Sequence, residues 1–277
     1  MYRRIAKRIV SANSIYVLTG AGISAPSNIP TFRGKGGLWT EQEAQGIDPS
    51  ITLTRRMFDL DPTVLWDWLI DFISLVEKAK PNAAHYAILN LQEHCKRIGK
   101  KFTLATQNID DFHPQLIKES LLLRPKKEFK EGESGFGFTE GVLEIHGNGN
   151  YMRCGNECSI KLFHYPKGLK KGQVPKCKQC GASMRPHILL FDEMYRQDLY
   201  ALDTARNKGE ESDCMFVIGS ELATNLPSLL VYNHLLAEKF LIQVNPNKVI
   251  NDNVTHIHES CELSLPKLID AVINAKI

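Results

Sequence analysis

No run of apolar residues in this chain approaches the roughly 20 that a helix needs to cross a bilayer, which argues against an integral membrane protein. An excess of charge of one sign is also missing: 34 Lys and Arg face 31 Asp and Glu. A net charge of +3 does not announce a nucleic-acid or membrane partner, and neither is expected. Acidic residues are absent before Glu41, so MYRRIAKRIVSAN could pass for a targeting presequence. Ile5 and Ile9 instead fit one short amphipathic helix that leads directly into a strand at Ile15 to Thr19, leaving nothing to cleave. The seven cysteines accompany no apolar signal segment, and four of them are closely paired. That usage argues for a reducing compartment, cytoplasmic or nuclear, and for a metal rather than disulfides.

A length of 277 residues, 43% of them hydrophobic, suits one large domain or a large domain carrying a small one. Short β-branched runs at 15–19, 102–106, 214–219 and 240–245 alternate with helical patterns. Strands buried on both faces read this way, so the fold class is α/β, a Rossmann-like parallel sheet with a small inserted zinc-binding domain. Pro62 to Ala79 and Asn82 to Ile98 read as helices, each announced by a proline near its start. Residues 151–185 differ in kind, being rich in Cys, Gly, Lys and Pro, and form the expected metal-stapled module; 1–150 and 186–277 form the sheet domain. Residues 118–141, charged and Gly-rich, read as a mobile loop.

Within the small module Cys154 and Cys158 are separated by three residues, Cys177 and Cys180 by two. Two tight turns can each offer two thiolates, completing a tetrahedral sulfur site for one zinc ion, with Gly155, Asn156 and Gly181 letting the chain fold back. Four cysteine ligands leave no open position, so such a metal is structural. Cys95 and Cys214 sit in apolar patterns and read as small core residues.

After the first strand comes Gly20-Ala21-Gly22-Ile23-Ser24-Ala25, which fits a dinucleotide-binding turn whose backbone N–H groups approach a pyrophosphate. Alone this match is weak. Pro26 and Pro30 block an immediate long helix, and no acidic residue ends a second strand to hold a ribose, so a hydride-transfer dehydrogenase fits poorly.

The order of further motifs is more specific. GAGIS at 20–24, IPTFRG at 29–34, TQNIDDFH at 106–113, EIHGN at 144–148 and then the cysteine quartet resemble the signature of the sirtuins, from about Ile5 to the last helix. The resemblance implies an NAD-dependent protein-lysine deacylase acting on acylated-lysine proteins or peptides, releasing nicotinamide and O-acyl-ADP-ribose. The same pocket could serve a protein ADP-ribosyltransferase. It implies NAD contacts for Gly20, Ala21, Gly22, Phe32 and Arg33; for Gln107, Asn108, Ile109 and Asp110; and for Ser220, Asn245 and Cys261. Asn108 would orient the ribose and an ordered water, with Ile109 and Asp110 on the nicotinamide carboxamide.

His146 carries the chemistry. A lone histidine is ordinarily a satisfied structural residue, but within EIHGN the resemblance makes it the general base, and a neutral imidazole suits proton abstraction from a ribose hydroxyl. His85 and His113 read as structural. RPHILLFDEMY at 185–195 corresponds to the family's peptide-binding stretch, with Asp192 where glycine is usual, so an acidic side chain is expected to border the cleft. Asn28 replaces another common glycine, a mild change because Asn tolerates left-handed backbone. Glu221 stands where serine is usual, with an apparent extra residue before Pro227. Where relatives preferring acidic acyl chains carry Tyr and Arg, alignment through Pro62 and Trp66 places Leu69 and Phe72. A monomer is the family's default.

Overall fold

The computed structural model describes residues 1–31, 49–124, 141–250 and 254–275. The helices are α1 (Tyr2–Ser11), α2 (Arg55–Leu60), α3 (Pro62–Val76), α4 (Ala83–Arg97), α5 (Phe112–Glu119), α6 (Leu202–Glu211), α7 (Asn225–Leu236) and α8 (Cys261–Ile273), with single turns at Pro49–Thr52 and Gln197–Tyr200. The strands are β1 (Ser14–Thr19), β2 (Lys101–Thr106), β3 (Leu143–Glu144), β4 (Gly147–Cys154), β5 (Phe163–His164), β6 (Met184–Ile188), β7 (Cys214–Ile218), β8 (Phe240–Val244) and β9 (Thr255–Ile257).

Six strands form one sheet in the order β3-β2-β1-β7-β8-β9, every pair parallel. Alternation divides their side chains between two apolar layers. Ile15, Val17, Phe216, Ile218, Ile242 and Val244 face α1, α4 and α8, whereas Tyr16, Leu18, Met215, Val217 and Leu241 face α6 and α7. The N-terminal helix forms as its pattern requires, with Ile5 and Ile9 buried. Cys95 and Cys214 are buried in the first layer.

The second sheet is antiparallel, in the order β5-β4-β6, and runs from Gly147 to Ile188. Helices α2 and α3 pack on this sheet: Phe58, Leu65, Trp66, Leu69 and Phe72 share a third apolar cluster with Cys154, Met184 and Ile188. The Trp66 indole N–H donates to the Met184 carbonyl at 2.8 Å, tying the two segments together. The helix expected at Pro62 to Ala79 ends at Val76, and the one expected from Asn82 to Ile98 spans Ala83–Arg97 with Asn82 as its cap. Of the loop expected at 118–141, residues 118–119 close α5, and 125–140 lie outside the described residues. No helix among the described residues is long and apolar enough to cross a membrane.

Candidate functional site

The strand order reverses at β1, whose neighbours β2 and β7 lie on opposite sides, and ligands of open α/β sheets bind beyond the strand ends at such a switch point. Two glycine turns meet there. Gly22 N–H donates to the Gly219 carbonyl at 2.8 Å, and Gly20 N–H to the Ile218 carbonyl at 2.9 Å. A Cβ on Gly20 would lie 2.8 Å from the Gly219 oxygen, and one on Gly22 would lie 2.8 Å from Gly219 Cα. Gly219 itself has φ +57° and would bring a Cβ within 2.4 Å of Ile23 N. The glycines are therefore required by a close crossing of the β1 and β7 turns. The Gly20 and Gly22 N–H groups bond across this crossing, and neither residue places a side chain on the turn. Asn28 adopts the left-handed conformation, φ +64°, that its replacement of glycine requires.

A buried polar cluster lies beside this crossing. Ser24 Oγ donates to Asp110 Oδ2 at 2.6 Å, Asn108 Nδ2 donates to Ser24 Oγ at 3.1 Å, and Phe112 N–H donates to Asp110 Oδ1 at 3.1 Å. Burial raises the Asp110 pKa, and the Ser24 hydroxyl opposes that rise. His85 caps its own helix through Nδ1, which accepts from Asn82 N–H, and sits 3.4 Å from Ser24 Oγ; burial and then the neighbouring His113 push its pKa down to about 2. His113 lies 3.3 Å from Thr19 Oγ1 with a pKa pushed down by burial to about 4. Both are neutral framework residues, as their patterns suggest. Ser24 lies inside the quoted GAGIS motif yet carries no assignment from it. Its signal was available: a hydroxyl one turn beyond the glycines, opposite the Asn and Asp of the next strand end.

Cofactor candidates on the remaining turns converge on the same edge. Gln107 Nε2 donates to Ser220 Oγ at 2.8 Å, and Asn245 Nδ2 reaches both the Ser220 carbonyl and Glu221 Oε1 at 3.4 Å. The unusual Glu221 carboxylate is thus held at the mouth by Asn245. The turn before Pro227 holds Leu222 at φ +52°, and the Leu222 carbonyl accepts from Ser228 Oγ. Cys261 is buried beneath the glycine turn, its thiol 3.7 Å from the Gly22 carbonyl, with a pKa pushed up by burial to about 11. Ile109 is buried, and its carbonyl accepts from Gly149 N–H at 3.0 Å. Phe32 and Arg33 lie outside the described residues.

His146 is half-buried at the start of β4, between the two sheets. Gly147 follows at φ +80°, and a Cβ there would lie 2.0 Å from the His187 carbonyl, so the motif's glycine lets β4 press against β6. Desolvation lowers the His146 pKa to about 4, and a hydrogen bond to the Gln107 main chain opposes it. The imidazole is therefore neutral and able to accept a proton throughout the neutral range. Its Nε2 lies 2.7 Å from the Tyr195 hydroxyl, a contact that no motif announced.

The Asp192 carboxylate has a capping role that its place in the peptide-binding stretch did not announce. Its oxygens accept from Arg55 N–H at 2.5 Å and Arg56 N–H at 3.0 Å, so it caps α2 from a distant loop. Asp192→Ala is expected to lower the free energy of unfolding by about 1 kcal/mol, read as a shift in denaturant midpoint. An unchanged midpoint would show that the cap carries no stability.

The four cysteines expected as ligands come together. Their Sγ atoms all lie within 4.8 Å of one another, with 3.4 Å between Cys154 and Cys158, 3.5 Å between Cys154 and Cys180 and 3.6 Å between Cys158 and Cys177. Zn–S bonds of about 2.3 Å in a tetrahedron separate sulfurs by about 3.8 Å, so the quartet fits zinc. Main-chain N–H groups of Cys180 and Gln179 hold the Cys177 pKa down, while the neighbouring thiols push that of Cys158 up. Gly155 approaches Ser183 so closely that a Cβ would lie 2.5 Å from its carbonyl, and Gly181 turns at φ +75°.

A family model described as the Sir2 family matches residues 20–120 and 131–225. The NAD-dependent protein deacylase of Thermus thermophilus is 31% identical over 91% of this chain and 86% of its own length. That of Aeropyrum pernix is 34% identical over 86% of this chain and 83% of its own. Among solved structures, the crystal structure of a Sir2 homolog–NAD complex superposes with a TM-score of 0.76 at 27% identity, covering 97% of this chain and 93% of the other.

Proposed function

The chain belongs to the Sir2 family, and on that footing we propose that it is an NAD-dependent protein-lysine deacylase with His146 as its general base. The observation that carries this reading is the neutral His146 imidazole, placed where the sheet's ligand-binding edge meets the small module. NAD, when bound, supplies a ribose carbon that the acyl oxygen can attack as nicotinamide departs. The chain's residues do the rest. Gly20, Ala21, Gly22, Ser220, Asn245 and Cys261 shape the floor for the phosphates and the adenosine half. Gln107, Asn108, Ile109 and Asp110 are assigned to the nicotinamide ribose and its carboxamide, and the family resemblance adds Phe32 and Arg33 to the cofactor contacts. Asn108, fixed through Ser24, is suited to orient the ribose and a water. His146 takes the proton of a ribose hydroxyl, a role that a neutral imidazole can fill. The zinc held by Cys154, Cys158, Cys177 and Cys180 is structural. The stretch at 185–195 is the docking edge for the acyl-lysine peptide, and 151–185 is the small zinc-binding module. All seven cysteines are unpaired by disulfides, which suits the cytoplasm or nucleus; the small net charge suits a protein with no nucleic-acid contact, and a monomer is the family's default.

The acyl group is expected to be neutral. Leu69 and Phe72 are buried in the third apolar cluster, Phe72 stacked on Trp68 with ring centroids 5.4 Å apart. Leu69 Cδ1 reaches within 3.6 Å of where a Cβ on Gly149 would stand, three residues beyond the base. A carboxylate pressed here would lose water and find no partner. With one peptide carrying acetyl-, myristoyl- or succinyl-lysine and NAD, acetyl or myristoyl turnover is expected to exceed succinyl turnover at least about tenfold, one pairing of about 1.4 kcal/mol. Mass spectrometry should find nicotinamide and O-acyl-ADP-ribose. Succinyl preference would misplace the acyl pocket, and absence of O-acyl-ADP-ribose would refute deacylation.

A further inference from the structure

The Tyr195 hydroxyl lies at the nitrogen of His146 that must receive the proton. Nε2 faces the phenol at 2.7 Å, and the Gln107 main chain acts on the imidazole as a group that favours its protonated form. With the ring proton on Nδ1, directed to that main chain, the lone pair of the neutral ring sits on Nε2. Tyr195 therefore donates its O–H to the base, and the rings stand with centroids 5.7 Å apart. The phenol is itself held. It packs partly buried against the second apolar layer, and the Thr224 hydroxyl lies within hydrogen-bond reach of the phenol oxygen and of Gln107 Oε1, 3.4 Å away.

We propose that Tyr195 guards the base: in the ligand-free enzyme it occupies the His146 lone pair, and the NAD ribose hydroxyl must displace it before catalysis. The inference rests on the reading of His146 as general base. Burial pushes the Tyr195 pKa up to about 12, so the phenol stays protonated and cannot itself take the ribose proton at neutral pH. A second donor on Nε2 competes with the substrate for one lone pair, whereas a residue that merely orients the ring would use Nδ1, which Gln107 already holds. Tyr195 is accordingly a positioning residue whose contact opposes cofactor binding. It sets the NAD concentration at which the enzyme responds.

The test is calorimetric NAD binding and steady-state kinetics on four proteins: the parent, Tyr195→Phe, His146→Ala and the double variant. Tyr195→Phe removes one hydrogen bond that NAD must break, so the Kd and KM for NAD should fall roughly 3- to 10-fold, with the change on KM rather than on kcat. In the His146→Ala background the same substitution should leave the Kd unchanged, because no lone pair remains to guard. Tyr195→Leu, which keeps an apolar side chain against the second layer, should reproduce the tightening if the phenylalanine variant is poorly folded. An unchanged Kd in the parent background overturns the proposal. So does equal tightening without His146, or a tenfold loss of kcat, which would put the phenol in the chemistry. Turnover by His146→Ala would refute the base assignment instead, and the binding data remain readable separately from it.

Discussion

Replacing His146 by Ala should reduce NAD-dependent turnover of an acyl-lysine peptide by about 10²–10⁴-fold, the usual worth of a positioned general base. The protein should stay folded. His146 is half-buried and its side chain contacts only the Gln107 main chain and Tyr195 among the partners described. The backbone bonds that hold β4 in place, including Leu189 N–H to the His146 carbonyl at 2.9 Å, do not depend on the imidazole. Circular dichroism and thermal melting separate the two effects: a folded variant with near-normal turnover would remove His146 from the mechanism. A variant that fails to fold would show instead that the histidine is part of the framework, as His85 and His113 are.

Stripping the metal should abolish activity by a different route. Structural zinc contributes apparent binding free energies of about 10–16 kcal/mol, more than a typical domain's net stability, so its removal is a folding event. Cys154 ends β4, whose first residue follows His146, and Met184 begins β6 while accepting the Trp66 hydrogen bond. Loss of the ion therefore loosens the strand that carries the base and the floor under α3. Metal analysis is expected to give about one zinc per chain, and Cys177→Ser or a strong chelator should lower zinc content and activity together. Full activity in protein shown to lack zinc would overturn the assignment. The large sheet should keep its helical and strand signal after chelation, because its two apolar layers contain none of the four cysteines.

The large sheet was legible because its central strands are buried on both faces and read as continuous β-branched runs. Its margins were not: β3 has two residues and β9 three, too short for any periodicity to register. The cysteine quartet was legible from spacing alone, since thiolates at two tight turns have few other uses. The surroundings of the quartet were less so. That α2 and α3 belong against the zinc-site sheet is decided by shape at Trp66 and Phe58, and a helix's apolar stripe does not say which surface will cover it. The glycine turn was legible as a motif, and the backbone crossing that requires its glycines was not, because a sequence shows that a Cβ is missing and not which backbone passes through the gap. Asp192 and Tyr195 show the same limit. Each side chain acts on a residue far away in the chain, and such pairings leave no local pattern.

The union of α3 with β6 also orders events in time. Trp66 and Met184 are 118 residues apart, so at about 5–20 residues per second the indole emerges from the ribosome roughly 6–24 s before its acceptor exists. Throughout that interval Leu65, Trp66, Leu69 and Phe72 form a sticky face on the nascent chain with no native surface to cover it. The β1–β2 pairing can form earlier, since both of its strands lie within residues 14–106. The metal completes the sequence of events: its last ligand, Cys180, is translated just before the strand that closes over Trp66. Zinc supply thus governs how long a newly made chain remains exposed to aggregation, and scarcity of the ion would be felt first as lost protein rather than as a slower enzyme.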